Sequence, residues 1–346
     1  MILRPKSSPR HHGSLACAVP AVPAVPVPGW LRRGVPDAQT LAAEAFEDVA
    51  VAAGAALGAL DAVVRREEKW AGAWRQRLAL TAAAASAKQA GRVEDEAALR
   101  DAVLLTRPGD FSPEPANPGP AGLMLLGWRR LAVRPAEDLL TEKNLAAVLE
   151  EFGYAPDGEA VGDLADELRQ LGAGAGTAGM LAGAVAAAGR HGFGRAAGAW
   201  CADALLARRL GWAHAVPLLG TAAAPGRRSA RPHRSAAAAA EGVGTEADPT
   251  KELLAALARA ALRAIDLSAD FGRRAERLLA VAPKLRARGA DAVVARLLDE
   301  DALVAARGDS RTGMSDRALR RLFDRLVGLG AVRELSGRPA FRIYGL

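Results

Sequence analysis

Cysteine is nearly absent: Cys17 and Cys201 are the only two in 346 residues, and neither belongs to a C-x-x-C pair. A disulfide framework is therefore excluded, and a reducing, cytoplasmic setting fits. Aromatic residues amount to 4% of the chain while 50% of it is hydrophobic, so the cores must be built from Ala, Leu and Val. That composition favours closely packed helices. Lysine is rare as well. Six Lys stand against forty Arg, beside abundant Ala and Gly, which is the bias of a GC-rich genome; the formal net charge of +7 is therefore weak evidence for an anionic partner. Five scattered histidines offer no metal cluster, and the P-loop, G-x-S-x-G and H-E-x-x-H signatures are missing. No cofactor and no metal are expected.

Long apolar runs are missing too. Ala173 to Gly189 is the nearest, but it is too short and too rich in Gly and Ala for a span of roughly 18 residues or more, so no membrane partner is expected. Arg4, Lys6 and Arg10 followed by Leu15 to Val27 have the outline of a signal peptide. Pro20, Pro23, Pro26 and Pro28 break any helical h-region there.

What is present points to a mostly α protein: a helical domain, a long helix, then a C-terminal winged-helix-like module with a β-hairpin. Residues 1–38 read as a disordered, Pro-rich tail whose triplet-spaced prolines suit polyproline II. An Ala-rich helical domain follows over 39–220, a low-complexity linker over 221–249, and the long helix with the C-terminal module over 250–346. The first helical pattern runs from Gln39 to Arg66 with Phe46, Val49, Ala53, Ala56, Leu60 and Val63 on one face. Later helices are expected around Trp70 to Ala90, from Glu94, over Leu123 to Val133, Leu139 to Phe152, Asp163 to Leu171, Gly192 to Leu210, Thr250 to Ala282 and Ala290 to Leu298.

Two constellations invite chemistry. Gly174-Ala-Gly176-Thr-Ala-Gly179 matches G-x-G-x-x-G, but a helical pattern precedes it, and a dinucleotide fingerprint needs a strand to aim the turn at the pyrophosphate. A Gly/Ala loop or a close helix crossing is the better reading. Trp70, Trp74, Arg75, Arg77, Glu94, Asp95, Glu96, Arg100 and Asp101 form the densest polar and aromatic group. Paired carboxylates suit acid/base chemistry or a hard cation, but the better reading is acids at a helix start, with Arg75 or Arg77 on the neighbouring helix as ion-pair partners and the two tryptophans packing the hairpin.

Function is carried by the last stretch. Ser315 can cap a helix whose apolar residues Leu319, Leu322, Phe323, Leu326 and Leu329 recur with helical spacing, which leaves Arg317, Arg320, Arg321 and Arg325 mostly outside the buried face. Gly330 suits the left-handed stop, and Ala331 to Leu335 and Ala340 to Tyr344 are strand-like runs around a Ser336-Gly337-Arg338-Pro339 turn. Gly308 to Leu346 holds eight Arg against four acids, a local excess of cations. The expected DNA-binding residues are Arg317, Arg320, Arg321 and Arg325 on the helix and Arg333, Arg338 and Arg342 on the wing. A full winged helix also needs a positioning helix, and only Val304 to Gly313, poor helix material, is available for it. The alternative partner is a protein, with the module packed on the helical domain or on another chain.

The blocks Trp70 to Leu80, Glu94 to Asp101, Asp203 to Trp212, Val281 to Ala287 and Leu322 to Pro339 resemble a bacterial family known only as domain of unknown function 1403. That resemblance implies no activity. A fainter similarity is to Fic-type proteins, with a helical domain, a long helix and a winged helix. Their active segment resembles His-Pro-Phe-x-Asp-Gly-Asn-Gly-Arg, whereas His191-Gly-Phe193-Gly194-Arg195 keeps the His, the Phe and the final Gly-Arg but lacks the acid, the Asn and three residues of loop. An anion cradle cannot be built without them, and a non-enzymatic protein is expected.

Overall fold

A computed structural model describes residues 27–106, 118–222, 248–305, 313–338 and 341–346. These residues are mostly helical, with one small sheet. The first helices are α1 (Gly29–Gly34), α2 (Ala38–Ala43), α3 (Phe46–Val64), α4 (Ala71–Gln89) and α5 (Glu96–Leu104). Then come α6 (Gly119–Val133), α7 (Glu142–Glu151), α8 (Gly158–Gly174), α9 (Thr177–Arg190) and α10 (Arg195–Leu210). After residue 248 the order is α11 (Pro249–Val281), α12 (Ala290–Asp299), β1 (Leu303–Val304), α13 (Asp316–Gly328), β2 (Arg333–Glu334) and β3 (Ile343–Gly345).

The 33-residue α11 is the spine. Asp248 accepts a hydrogen bond from Thr250 N at 2.9 Å and Pro249 opens the first turn, so the start is fixed by cap chemistry. Leu254, Leu257, Ala258, Ala261, Leu262, Ile265, Phe271, Ala275 and Leu278 are buried along it. It packs on α2, α3, α4 and α9, with small residues such as Ala52, Ala53 and Ala56 of α3 in the core. The long helix was expected to open a second unit at residue 250, yet it lies among the helices assigned to the first. The described core is continuous, reaching from Leu31 to Leu346.

Several boundaries differ from the sequence reading. Within the stretch taken as tail, α1 and the start of α2 are helical, because Leu31 and Val35 lie one turn apart and both are 0% exposed. Arg32 of α1 pairs with Asp266 of α11 at 2.7 Å. Residues 1–26, and with them the polyproline expectation, lie outside the described residues, as does 223–247 of the linker. The Gln39 to Arg66 pattern is split at Glu44, whose extended backbone presents its carbonyl to Lys251 Nζ at 3.0 Å. Phe46, expected on the buried face, is exposed at that break. Thr177 to Arg190 is helical as α9, so the G-x-G-x-x-G match straddles the α8–α9 turn: Gly174 ends α8, Gly176 caps α9 and Gly179 lies within α9.

With so few aromatics, the tryptophans tie elements together. Trp74 Nε1 donates to Ala264 O at 2.9 Å, Trp128 Nε1 to Ser86 Oγ at 3.0 Å, Trp200 Nε1 to Gly127 O at 3.0 Å, and Trp212 Nε1 to Asp61 Oδ1 at 2.8 Å. Each fills core volume and satisfies its own N–H across two elements. Asp203 of α10 does the same for the backbone. Its carboxylate accepts from Leu218 N at 2.8 Å and Leu219 N at 3.0 Å, holding the turn that ends the first run of helices.

Burial pushes the Asp203 carboxyl up to about 7 from an ordinary 3.8, against the pull of those amides. A raised folded-state value means that the native state holds the proton longer than the unfolded chain. The associated stability is present below about pH 4 and is lost as pH rises through about 7. Asp203→Asn is expected to flatten that loss, which chemical unfolding from pH 4 to 8 measures; an unchanged pH profile would mean that Asp203 stays ionised throughout.

Candidate functional site

The sheet order is β1-β3-β2, all antiparallel, with Leu303 opposite Tyr344, Val304 opposite Ile343, Arg333 opposite Gly345 and Glu334 opposite Tyr344. Strand β1 was not expected: it stands in the chain where the positioning helix was sought. Of that stretch, 306–312 lies outside the described residues. Helix α13 begins as its sequence dictates, with Ser315 Oγ accepting from Ala318 N at 3.4 Å, and Gly330 follows it at φ 66°. Leu319, Leu322, Phe323 and Leu326 are buried, and Phe323 stacks on Tyr344 of β3 with ring centroids 4.4 Å apart. Leu329, expected on the same face, is 47% exposed because it is already the cap residue. Phe323→Ala should destabilise the fold by about 3–5 kcal/mol through lost burial and cavity formation. A loss under about 1 kcal/mol in denaturant unfolding would mean that the sheet does not rest on α13.

All seven arginines expected to bind DNA are exposed. Arg317, Arg321 and Arg325 lie at i, i+4 and i+8, a row along α13 with about 6 Å of rise between neighbours. None of the three has an ion pair among the described residues. Arg320, beside them, stands 4.0 Å from Asp316. Beside β2 and β3, Arg342 faces Glu334 at 3.7 Å and Asp324 at 4.0 Å, and Arg333 is exposed. Arg338 is committed elsewhere, in an ion pair with Asp101 of α5. The helix arginines thus form one surface, while Arg338 after β2 is tied to the bundle.

The run Asp299-Glu300-Asp301, which sequence reasoning passed over, is the joint between bundle and sheet. Asp299 O accepts from Gln76 Nε2 at 3.0 Å and lies so close to Gly72 that a Cβ there would stand 2.8 Å from it. Glu300 accepts from Arg296 Nε at 2.7 Å and Nη2 at 3.0 Å. Asp301 is fully buried; Arg77 of α4 donates Nε to one of its oxygens and Arg100 of α5 donates Nε to the other at 3.1 Å. The expected partners of Arg77 were the acids of the α5 start, but Asp95 caps α5 through Ala98 N, Glu96 accepts from Thr81 and Glu94 pairs with Arg92. Burial alone would raise the Asp301 carboxyl, and Arg77, Arg100 and Arg129 overcome it, holding the group below its ordinary value. On β3, a Cβ at Gly345 would stand 2.6 Å from Asp301 O, so the sheet sits directly on this joint.

Next to it opens a polar cleft of about 450 Å³ lined in part by Glu67, Glu68, Arg75, Trp212, His214 and Asp299. Glu67 holds φ 46°, a left-handed conformation costly for a side-chain-bearing residue. Burial and Arg75 push the His214 imidazole toward its neutral form, with Asp299 and Glu67 pulling the other way. Among the described residues no group of three or more His, Cys, Asp or Glu is placed to hold a metal, and no helix is long and apolar enough to cross a membrane.

Residues 19–346 match the model of the family described as protein of unknown function (DUF1403). The chain belongs to that family. No curated protein and no solved structure matches it. The sequence blocks that resembled the DUF1403 family supply Arg77 and Arg100 of the joint, Asp203 of the buried turn and Arg325 of the basic row. The Fic-like stretch has a structural role here. His191 caps α9 and its Nε2 lies 3.1 Å from Glu167, which also pairs with Arg190. Phe193 is buried edge-on against Tyr154, whose hydroxyl accepts from Gly194 N at 2.6 Å.

Proposed function

We propose that this DUF1403 protein is a non-enzymatic DNA-binding or regulatory protein, in which α12, β1, α13 and the β2–β3 hairpin act as a winged-helix-like module. The observation that carries the reading is the row Arg317, Arg321 and Arg325: three exposed guanidinium groups, one helical turn apart, without a carboxylate partner among the described residues. The opposite face of α13 is fully used in the core, so the row is free to meet phosphates. Strand order β1-β3-β2, with α13 entering between β1 and β2 in the chain, supports the same reading. Arg320, Arg333 and Arg342 extend the surface, whereas Arg338 would first have to leave Asp101. The experiment is a mobility shift of duplex DNA at rising salt, since phosphate neutralisation makes affinity fall steeply with salt.

A protein partner is the second reading. Val327, Leu329 and Phe341 are 40%, 47% and 55% exposed on the same module, an apolar exposure that DNA phosphates do not use. Salt-independent capture of a protein, without DNA binding, is its signature.

A further inference from the structure

We propose that the joint between the helical bundle and the C-terminal sheet is a binding site for a small oxyanion with two negative charges, held by Arg77, Arg100 and Arg129. Two guanidinium groups, of Arg77 and Arg100, take both oxygens of one buried carboxylate, Asp301, and the charge of a third, Arg129, reaches it. The side chains of Arg77 and Arg100 are 13% and 9% exposed, and Asp301 is 0% exposed. Arg129, from α6, feels the Asp301 charge but donates no hydrogen bond to any described residue, and its Nε is buried without an acceptor. Arg77 Nη2 is likewise buried without an acceptor.

Of the surrounding carboxylates, Glu300 is paired with Arg296 while its charge also reaches Arg129, Asp101 is paired with Arg338, and Glu96 accepts from the neutral Thr81 hydroxyl. Taken by themselves, Arg77, Arg100, Arg129 and Asp301 carry two net positive charges in a poorly solvated place, with donor atoms left over. Uncompensated buried charge is strongly unfavourable. A dianion supplies both missing charges and the missing acceptors, and the planar guanidinium fork suits phosphate and carboxylate oxygens. Hydrogen phosphate, a phosphomonoester and a dicarboxylate share this chemistry. The site is distinct from the α13 row, so it stands or falls independently of DNA binding.

The test is thermal unfolding and titration calorimetry of the full chain with inorganic phosphate and, in a separate arm, succinate, each compared with chloride at matched ionic strength and pH. The wild-type chain should gain about 3 °C or more at an anion concentration a hundredfold above its dissociation constant, with saturation near one anion per chain. A gain with phosphate alone assigns the phosphate class, and a gain with succinate alone the dicarboxylate class. Arg129→Met should abolish the gain and, in chloride, melt no lower than the wild type, because an unpaired buried charge has been removed. Arg129→Lys, which keeps the charge and loses the fork, should bind at least about tenfold more weakly, and Arg317→Gln should bind unchanged. The proposal is overturned by equal melting in all three salts, by a gain that survives Arg129→Met, or by a gain lost in Arg317→Gln, which would mark general surface basicity.

Discussion

Replacing Asp301 by Ala is expected to destabilise the protein by about 3–5 kcal/mol, the range for breaking a buried ion pair from one side. The carboxylate is fully buried and is the only described acceptor for Arg77 Nε and Arg100 Nε. Without it Arg77 and Arg100 lose the counter-charge they share, Arg129 loses one of the two that reach it, and the joint on which β3 rests loses its centre. Urea unfolding at neutral pH measures the effect; a loss under about 1 kcal/mol would mean that solvent reaches these arginines. The pH dependence has a definite sign. A carboxyl held below its ordinary 3.8 contributes stability that is present above that pH and is lost as pH falls below it. Asp203, with its raised value, acts in the opposite sense, so removing Asp301 should leave the loss on the alkaline side of Asp203 intact while flattening the acid limb.

The elements legible in the sequence are those whose signals are local. The expected helix from Thr250 to Ala282 corresponds to α11 to within a residue at each end, Ser315 and Gly330 bracket α13, and the apolar spacing of α13 names the residues it buries. The break at Glu44 was not legible, because the chain is extended there to meet Lys251, 207 residues away. Nor was β1: two residues, Leu303 and Val304, are a strand only through their pairing with Tyr344 and Ile343. In a segment so short, tertiary pairing and not propensity decides. The joint shows the same limit. Arg77 and Arg100 were singled out from composition, but their shared partner lies 224 and 201 residues downstream, so proximity in sequence pointed to the wrong acids. The short α1 was hidden by its flanking prolines, which delimit the helix from outside instead of preventing it.

The triple variant Arg317→Gln, Arg321→Gln, Arg325→Gln bears on the central claim, because it strips the basic row while leaving Leu319, Leu322, Phe323 and Leu326 in place. If each guanidinium contributes about 1 kcal/mol or more to phosphate contact, DNA affinity should fall about a hundredfold with folding unchanged. Affinity alone could fall for other reasons, whereas the salt dependence counts neutralised phosphates, at about 0.9 in the log–log slope for each on duplex DNA. The decisive measurement is therefore the slope of log affinity against log salt for the wild type and the triple variant on one duplex. The account predicts a steep wild-type slope that flattens by about 2.7 in the variant. Equal slopes, or a wild-type protein that binds no DNA at low salt, would contradict it.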